Sequence, residues 1–169
     1  MKYTVFETKM GWMGVIGSAR GLRRMTIPLP SPEEAFRDLE PDLGEADLDP
    51  GFFGGLAGRM QRFFEDGEAA FPDQFDLPGA TPFKKAVWEA TRSIPRGETR
   101  SYGDIAVQVG RPGGARAVGQ VMASNPIAVL VPCHRVIASD GGLGGYGGHL
   151  EVKRRLLTLE GAMKGIKRS

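Results

Sequence analysis

Three short apolar segments punctuated by glycine open the chain: Tyr3-Thr-Val-Phe6, Trp12-Met-Gly-Val-Ile16 and Leu22 to Ile27. Strand-length runs separated by glycine turns predict a β-meander. The pattern then fades, because Pro28 to Pro50 is acidic and proline-rich and reads as a loop with at most a short helix around Pro32 to Leu39. Phe52, Leu56, Met60, Phe63 and Phe64 recur at three- and four-residue steps, the spacing of one apolar helix face, and that helix is expected to stop near Gly67. Phe71 to Gly79 has prolines and no period, so it reads as a linker.

Helical signals dominate the second half. Thr81-Pro82 is an N-cap followed by proline in the first turn, opening a helix through Val87, Trp88 and Thr91 to Ser93, which Ile94-Pro-Arg-Gly97 ends. Ser101-Tyr-Gly-Asp104 has capping-box spacing and starts a short helix reaching Val109. After the turn Gly110-Arg-Pro-Gly-Gly114, a second helix runs from Ala115 to about Ser124. Two short helices around a tight glycine turn form a helix-turn-helix pattern, weak in isolation because any small bundle contains such a pair. Leu150 through Leu159 returns to helical period, with Gly161 as its stop.

At 169 residues, 41% of them apolar and 25% charged, the chain has an ordinary globular composition. One cysteine excludes an internal disulfide, and with two histidines there is no cysteine-rich zinc pattern, so neither a structural metal nor export is expected. The expected setting is a reducing cytoplasm. No run approaches the roughly 20 apolar residues of a membrane span. Charge is divided unevenly: residues 1–80 hold 8 Lys/Arg against 14 Asp/Glu, and residues 81–169 hold 14 against 6. Domains are therefore expected at 1–80 and 81–169, the second facing a polyanion if its charges are more than scattered solubilising lysines and arginines.

Cys133 lies in Ile127-Ala-Val-Leu-Val-Pro-Cys-His-Arg-Val136. The β-branched run reads as a buried strand that Pro132 stops, placing the thiol and imidazole where the chain leaves the core. Thiolate formation is favoured by nearby cations and by a base, and Arg135 and His134 supply both kinds of group. A lone cysteine is also, more often, a small buried hydrophobe, and adjacent side chains on an extended segment diverge, so a turn or a bridging water would have to connect Cys133 with His134. Glu160 is a carboxylate at the negative end of a helix, where it needs a cationic or hydrogen-bonded partner, and His134 is a candidate. The helix Ala115-Arg-Ala-Val-Gly-Gln-Val-Met-Ala123 has small residues with Arg116 projecting, which suits either close approach to a sugar-phosphate backbone or packing against another helix. Six glycines crowd around Tyr146 between Ala138 and His149, either a mobile loop or backbone placed close to a flat ligand.

Pro132-Cys-His-Arg-Val136, preceded by Ser101-Tyr102, Arg116-Ala-Val-Gly119 and Ser124-Asn-Pro126 and followed by Tyr146 and Glu160-Gly161, resembles the O6-alkylguanine-DNA alkyltransferases, self-inactivating repair proteins. The match runs from Thr81 to Ala162. The resemblance implies an α+β protein, with an N-terminal ribonuclease H-like β-meander plus helix and a mostly helical C-terminal domain with a helix-turn-helix. It implies direct transfer of an alkyl group from O6-alkylguanine in double-stranded DNA to Cys133, once per chain, without a cofactor. His134 takes the thiol proton through a water, Glu160 orients and charges the imidazole, and Asn125 is a hinge asparagine. Because a stacked base is out of reach, the nucleotide is flipped through the minor groove. Tyr102 crowds the target phosphate and donates to the guanine ring, and Arg116 fills the vacated stack. Ala117, Gly119, Ala123 and Arg135 complete the implied DNA contacts, and Pro132, Val136, Tyr146, Gly147 and Gly148 the pocket, with carbonyls of Cys133 and Val136 accepting from the guanine amino group. The implied protein is monomeric. The rival readings are an alkyltransferase-like lesion binder, a helix-turn-helix regulator and a cysteine hydrolase.

Overall fold

The computed structural model describes residues 1–66 and 68–166. Its secondary structure is mixed α and β, and the chain separates into two compact units. The first comprises Met1–Pro78 together with the short segment Pro126–Ala128; the second comprises Gly79–Asn125 and the chain from Val129 onward.

The meander is present as β1 (Lys2–Thr8), β2 (Gly11–Ser18) and β3 (Gly21–Met25), antiparallel neighbours in register Val5 to Gly14 and Val15 to Met25. Met13 through Gly17 of β2 are all buried, as expected of a central strand covered on both faces. Gly14 is required by packing: a Cβ there would lie 2.6 Å from Leu39 Cδ1 and 3.1 Å from the Ala35 carbonyl oxygen. These belong to α1 (Pro32–Leu43), which is longer than the short helix the sequence suggests and continues past Pro41. Ser31 Oγ caps it by accepting from Glu34 N–H at 3.1 Å, and Arg24 of β3 holds its later turns through Asp38 at 2.9 Å and Asp42 at 3.3 Å. Tertiary pairing thus carries the helix through a residue that removes a backbone donor.

A fourth strand, β4 (Asp47–Leu48), pairs parallel with β1 and is too short to show in a pattern. Phe52 sits in a 3-10 turn, Pro50–Phe53, and is exposed, so the apolar face of α2 (Leu56–Asp66) begins at Leu56; Leu56, Met60, Phe63 and Phe64 are buried as expected. Gly67, the expected stop, lies outside the described residues. The segment expected to be a linker instead lies along the sheet: Leu22 N–H donates to the Gln74 carbonyl at 2.8 Å and Asp76 N–H to the Leu22 carbonyl at 2.8 Å. A chain that satisfies the edge of a strand needs no period of its own.

In the second unit, α3 (Pro82–Arg92) starts at the Thr81 cap, and α4 (Tyr102–Gln108) at a complete capping box, Ser101 Oγ accepting from Asp104 N–H at 3.0 Å and Asp104 Oδ2 from Ser101 N–H at 2.9 Å. The helix α5 (Ala115–Ala123) buries Val118, Val121 and Met122 and exposes Arg116 and Ala123. A two-stranded parallel pair, β5 (Arg100–Ser101) with β6 (Val136–Ile137), was not legible, and α6 (Leu150–Leu159) closes the described unit. The apolar run before Cys133 is buried but is not a strand. Ile127 makes one bridge to Met25, the chain turns at Val129 with φ +70°, and Cys133–Arg135 form a 3-10 turn. Apolar runs report burial, and the positive φ of a β-branched residue shows that the surrounding packing dictates the turn here.

The close approach of α1 to Gly14 makes a specific prediction. Gly14→Val should lower stability by about 1–3 kcal/mol, because the helix must shift off the sheet. Urea unfolding measures this, with Gly58→Ala, at a site inside α2 with nothing within 4 Å of the added Cβ, as the control, whose midpoint should not fall and should rise slightly because alanine favours the helix.

Candidate active site

The 3-10 turn after Pro132 decides where the chemistry sits. Cys133 is 7% exposed and His134 is fully buried, so the thiol and imidazole remain inside the core and do not emerge from it. Asn125 reaches the sulfur directly: its Nδ2 donates to the Val131 carbonyl at 2.9 Å and to Cys133 Sγ at 3.2 Å. The hinge asparagine of the sequence reading is therefore also a hydrogen-bond donor to the nucleophile. Burial raises the Cys133 pKa, against which the Asn125 hydrogen bond and then the charge of Lys153 work.

His134 faces Glu160, not the thiol. Its Nε2 lies 3.0 Å from Glu160 Oε1, while Nδ1 is buried with no protein hydrogen-bond partner. Glu160 caps the C-terminus of α6 and is held at a pKa of about 2: burial alone would raise it, and His134 and Arg135 more than reverse this. An ionised Glu160 can only accept, so Nε2 carries the proton and Nδ1 is the ring's free acceptor. Burial is the largest influence on His134 and lowers its pKa despite Glu160. The imidazole is therefore neutral at rest, a base able to take a proton.

The Arg135 guanidinium is engaged within the protein. Its Nε donates to Glu160 Oε1 at 3.0 Å and Oε2 at 3.2 Å, its Nη2 also binds Oε2, and its Nη1 donates to the Ile94 carbonyl at 2.8 Å. A bidentate guanidinium with one further acceptor is a clamp between the turn, α6 and the end of α3. The cation near the thiol is a residue the sequence reading missed. Lys153 of α6 is fully buried and donates from Nζ to the Val136 carbonyl at 2.7 Å and the Gly145 carbonyl at 3.1 Å. Its position in Leu150–Leu159, three residues before the apolar Leu156, was a signal: it falls on the buried face.

Tyr102, at the start of α4, is wedged between glycines. A Cβ on Gly144, whose φ is +73°, would come within 2.9 Å of the Tyr102 hydroxyl, and one on Gly119 of α5 within 3.9 Å of its ring. The Tyr102 hydroxyl donates to the Gly145 carbonyl at 3.4 Å. Tyr146 buries its hydroxyl beside Cys133, and burial first, then the neighbouring sulfur, raise that phenol well above its ordinary pKa. Pro132 and Val136 are buried; Gly147 and Gly148 are exposed and have φ of +56° and +84°. The Val136 carbonyl already accepts from Lys153, and the Cys133 carbonyl accepts from Val136 N–H, leaving each one lone pair. Arg116 projects from the exposed face of α5, Ala117 and Gly119 are half-buried, and Ala123 is exposed. Among the described residues no group of three or more His, Cys, Asp or Glu could hold a metal, and no helix is long and apolar enough to cross a membrane.

Residues 82–162, which span this site, match the family described as "6-O-methylguanine DNA methyltransferase, DNA binding domain". Over nearly the whole chain, the protein is 38% identical to the methylated-DNA--protein-cysteine methyltransferase of Methanosarcina acetivorans, covering 96% of this chain and 99% of that one. This chain belongs to the methylated-DNA--protein-cysteine methyltransferase family. The enzyme of the same name from Mycobacterium tuberculosis (strain ATCC 25618 / H37Rv) is 50% identical over 121 residues, 72% of this chain and 73% of that one. A crystal structure of Mycobacterium tuberculosis OGT in complex with DNA matches with a TM-score of 0.80 at 38% identity, covering 96% of this chain and 94% of that one.

The Glu160 cluster sets the acid response of this methyltransferase family member. The unfolded chain protonates His134 near pH 6.5 and Glu160 near pH 4.5, whereas the folded protein resists both, so stability should decline below about pH 6.5 and fall again from about pH 4.5 toward pH 2. Glu160→Gln should remove the second step and cost about 3 kcal/mol at neutral pH by leaving the half-buried Arg135 charge without a counter-ion. Urea midpoints followed from neutral to acid pH would contradict the assignment if the variant kept the wild-type profile.

Proposed function

We propose that this protein reverses alkylation of guanine in duplex DNA by moving the alkyl group from O6 to Cys133 Sγ, one transfer per chain. In the step, an S–C bond forms as the O6–C bond breaks, the bonding pair stays with the guanine oxygen, and a proton returns to the departing base. The observation that carries the reading is the single thiol held by Asn125 on a turn whose next residue is a neutral, Glu160-oriented imidazole. His134 Nδ1 is the acceptor for the thiol proton, through a water, and Tyr102 is the donor toward the guanine ring. The product is a thioether, from which water has no good leaving group to displace, so the protein is consumed.

Binding follows from the second unit's basic composition. In this reading the first domain is ribonuclease H-like and spans 1–80. The second, 81–169, uses the helices flanking Gly110 to Gly114 as a helix-turn-helix laid in the minor groove, with small residues Ala117, Gly119 and Ala123 allowing close approach and Arg116 entering the stack in place of the flipped nucleotide. The pocket is formed by Pro132, Val136, Tyr146, Gly147 and Gly148, and the protein acts as a monomer in the cytoplasm. A lesion binder that does not transfer is disfavoured by the presence of Cys133, and a sequence-reading regulator by the small side chains of α5.

Intact-mass measurement after incubation with an O6-methylguanine duplex should show gain of one methyl group, mapped to Cys133, and none in Cys133→Ser; methyl uptake by that variant would remove Cys133 from the reaction. Arg116→Ala should slow single-turnover transfer from duplex at saturation by more than about tenfold while leaving transfer from free O6-methylguanine base nearly unchanged, since only the duplex reaction requires unstacking, which costs a few kcal/mol. Equal losses on both substrates would count against the stack-filling role.

A further inference from the structure

Lys153 is among the largest side chains the protein buries completely, and it is ionisable. Among the described residues no carboxylate lies within ion-pair distance of it; its polar neighbours are the carbonyls of Val136 and Gly145, and its Nζ lies 5.8 Å from the Tyr102 ring centroid. Burying an ammonium on dipoles alone is costly, and buried charges are ordinarily paired. The ionisable groups that face it can be taken in turn. His134 is held neutral by burial, and Glu160, on its own helix, is engaged by His134 and Arg135. The phenols of Tyr102 on α4 and Tyr146 in the glycine-rich segment are both pushed above their ordinary range, so both are uncharged at neutral pH. Cys133 is the group left that can supply a negative charge.

We propose that Lys153 is the standing counter-charge of the Cys133 thiolate, held in place by the carbonyls of Val136 and Gly145. Lys153 is thus a positioning residue that acts through the sulfur and the backbone. Geometry and electrostatics agree: Val136 is one residue beyond the turn that carries Cys133, and the Lys153 charge lowers the thiol pKa while the sulfur raises that of the ammonium, which burial brings down to about 8. The proposal rests on the alkyl-transfer reading only for what the thiolate is used for.

The test compares Lys153→Gln, which keeps amide donors without charge, with Lys153→Arg, which keeps the charge. Cys133 alkylation by iodoacetamide is followed against pH in folded full-length protein. Lys153→Gln should move the thiol inflection upward by about one unit and cut the neutral-pH rate about tenfold, and Lys153→Arg should move it back toward wild type. An unchanged inflection in Lys153→Gln would reduce Lys153 to a structural tie and overturn the proposal. Should Lys153→Gln fail to fold, Cys133→Ser decides. The Lys153 Nζ titration, read by nitrogen NMR in selectively labelled protein, should drop by about one unit once the thiolate is lost, and an unshifted titration would overturn the proposal. Iodoacetamide needs no DNA, so the expected shifts without methyl uptake from an O6-methylguanine duplex would sink the transfer reading alone. Methyl uptake with no shift would sink only the role of Lys153.

Discussion

Glu160 sits at the C-terminal end of α6, where the helix's own carbonyls repel a negative charge, and it is nevertheless buried and ionised. It is held there by the imidazole of His134 and the guanidinium of Arg135, and Arg135 extends the connection to the carbonyl of Ile94 beyond α3. Two consecutive residues of one 3-10 turn are thereby fixed on the same carboxylate, and the orientation of that turn determines where the preceding residue, Cys133, points. The nucleophile is aimed by its neighbours' anchors more than by its own contacts.

Charge is distributed around the sulfur in a way that separates two tasks. A neutral imidazole can accept a proton, and a buried ammonium can stabilise the anion left behind without taking part in the proton transfer. Asn125 adds a third influence, a neutral donor to the sulfur that is unaffected by pH. The glycine-rich segment belongs to the same arrangement, since Gly145 receives bonds from both Lys153 and Tyr102, and Gly144 leaves room for the Tyr102 ring.

Much of this was legible in the residues. Caps and turns gave the starts of α3 and α4 because Thr81, Pro82, Ser101 and Asp104 act within three residues of themselves. Cys133, His134, Glu160, Asn125 and Tyr102 are brought into one neighbourhood, as the motif order implied. The failures share a cause: each depends on a partner distant in sequence. The length of α1 depends on Arg24, the apparent linker is fixed by Leu22, and the run before Cys133 turns at Val129 because packing, not propensity, sets its backbone. Lys153 was missed for the same reason, since a long cationic side chain reads as surface until its acceptors are known.

Lys153 and Glu160 are seven residues apart, two turns of the same helix, so they share a face, and one addresses the sulfur while the other addresses the imidazole. A stiff rod carrying both charges means the base and the nucleophile cannot be tuned separately. Sliding or tilting α6 by even a fraction of a turn would weaken the anion's support and loosen the base's orientation together, so the site works as one mechanical setting and not as a collection of adjustable side chains.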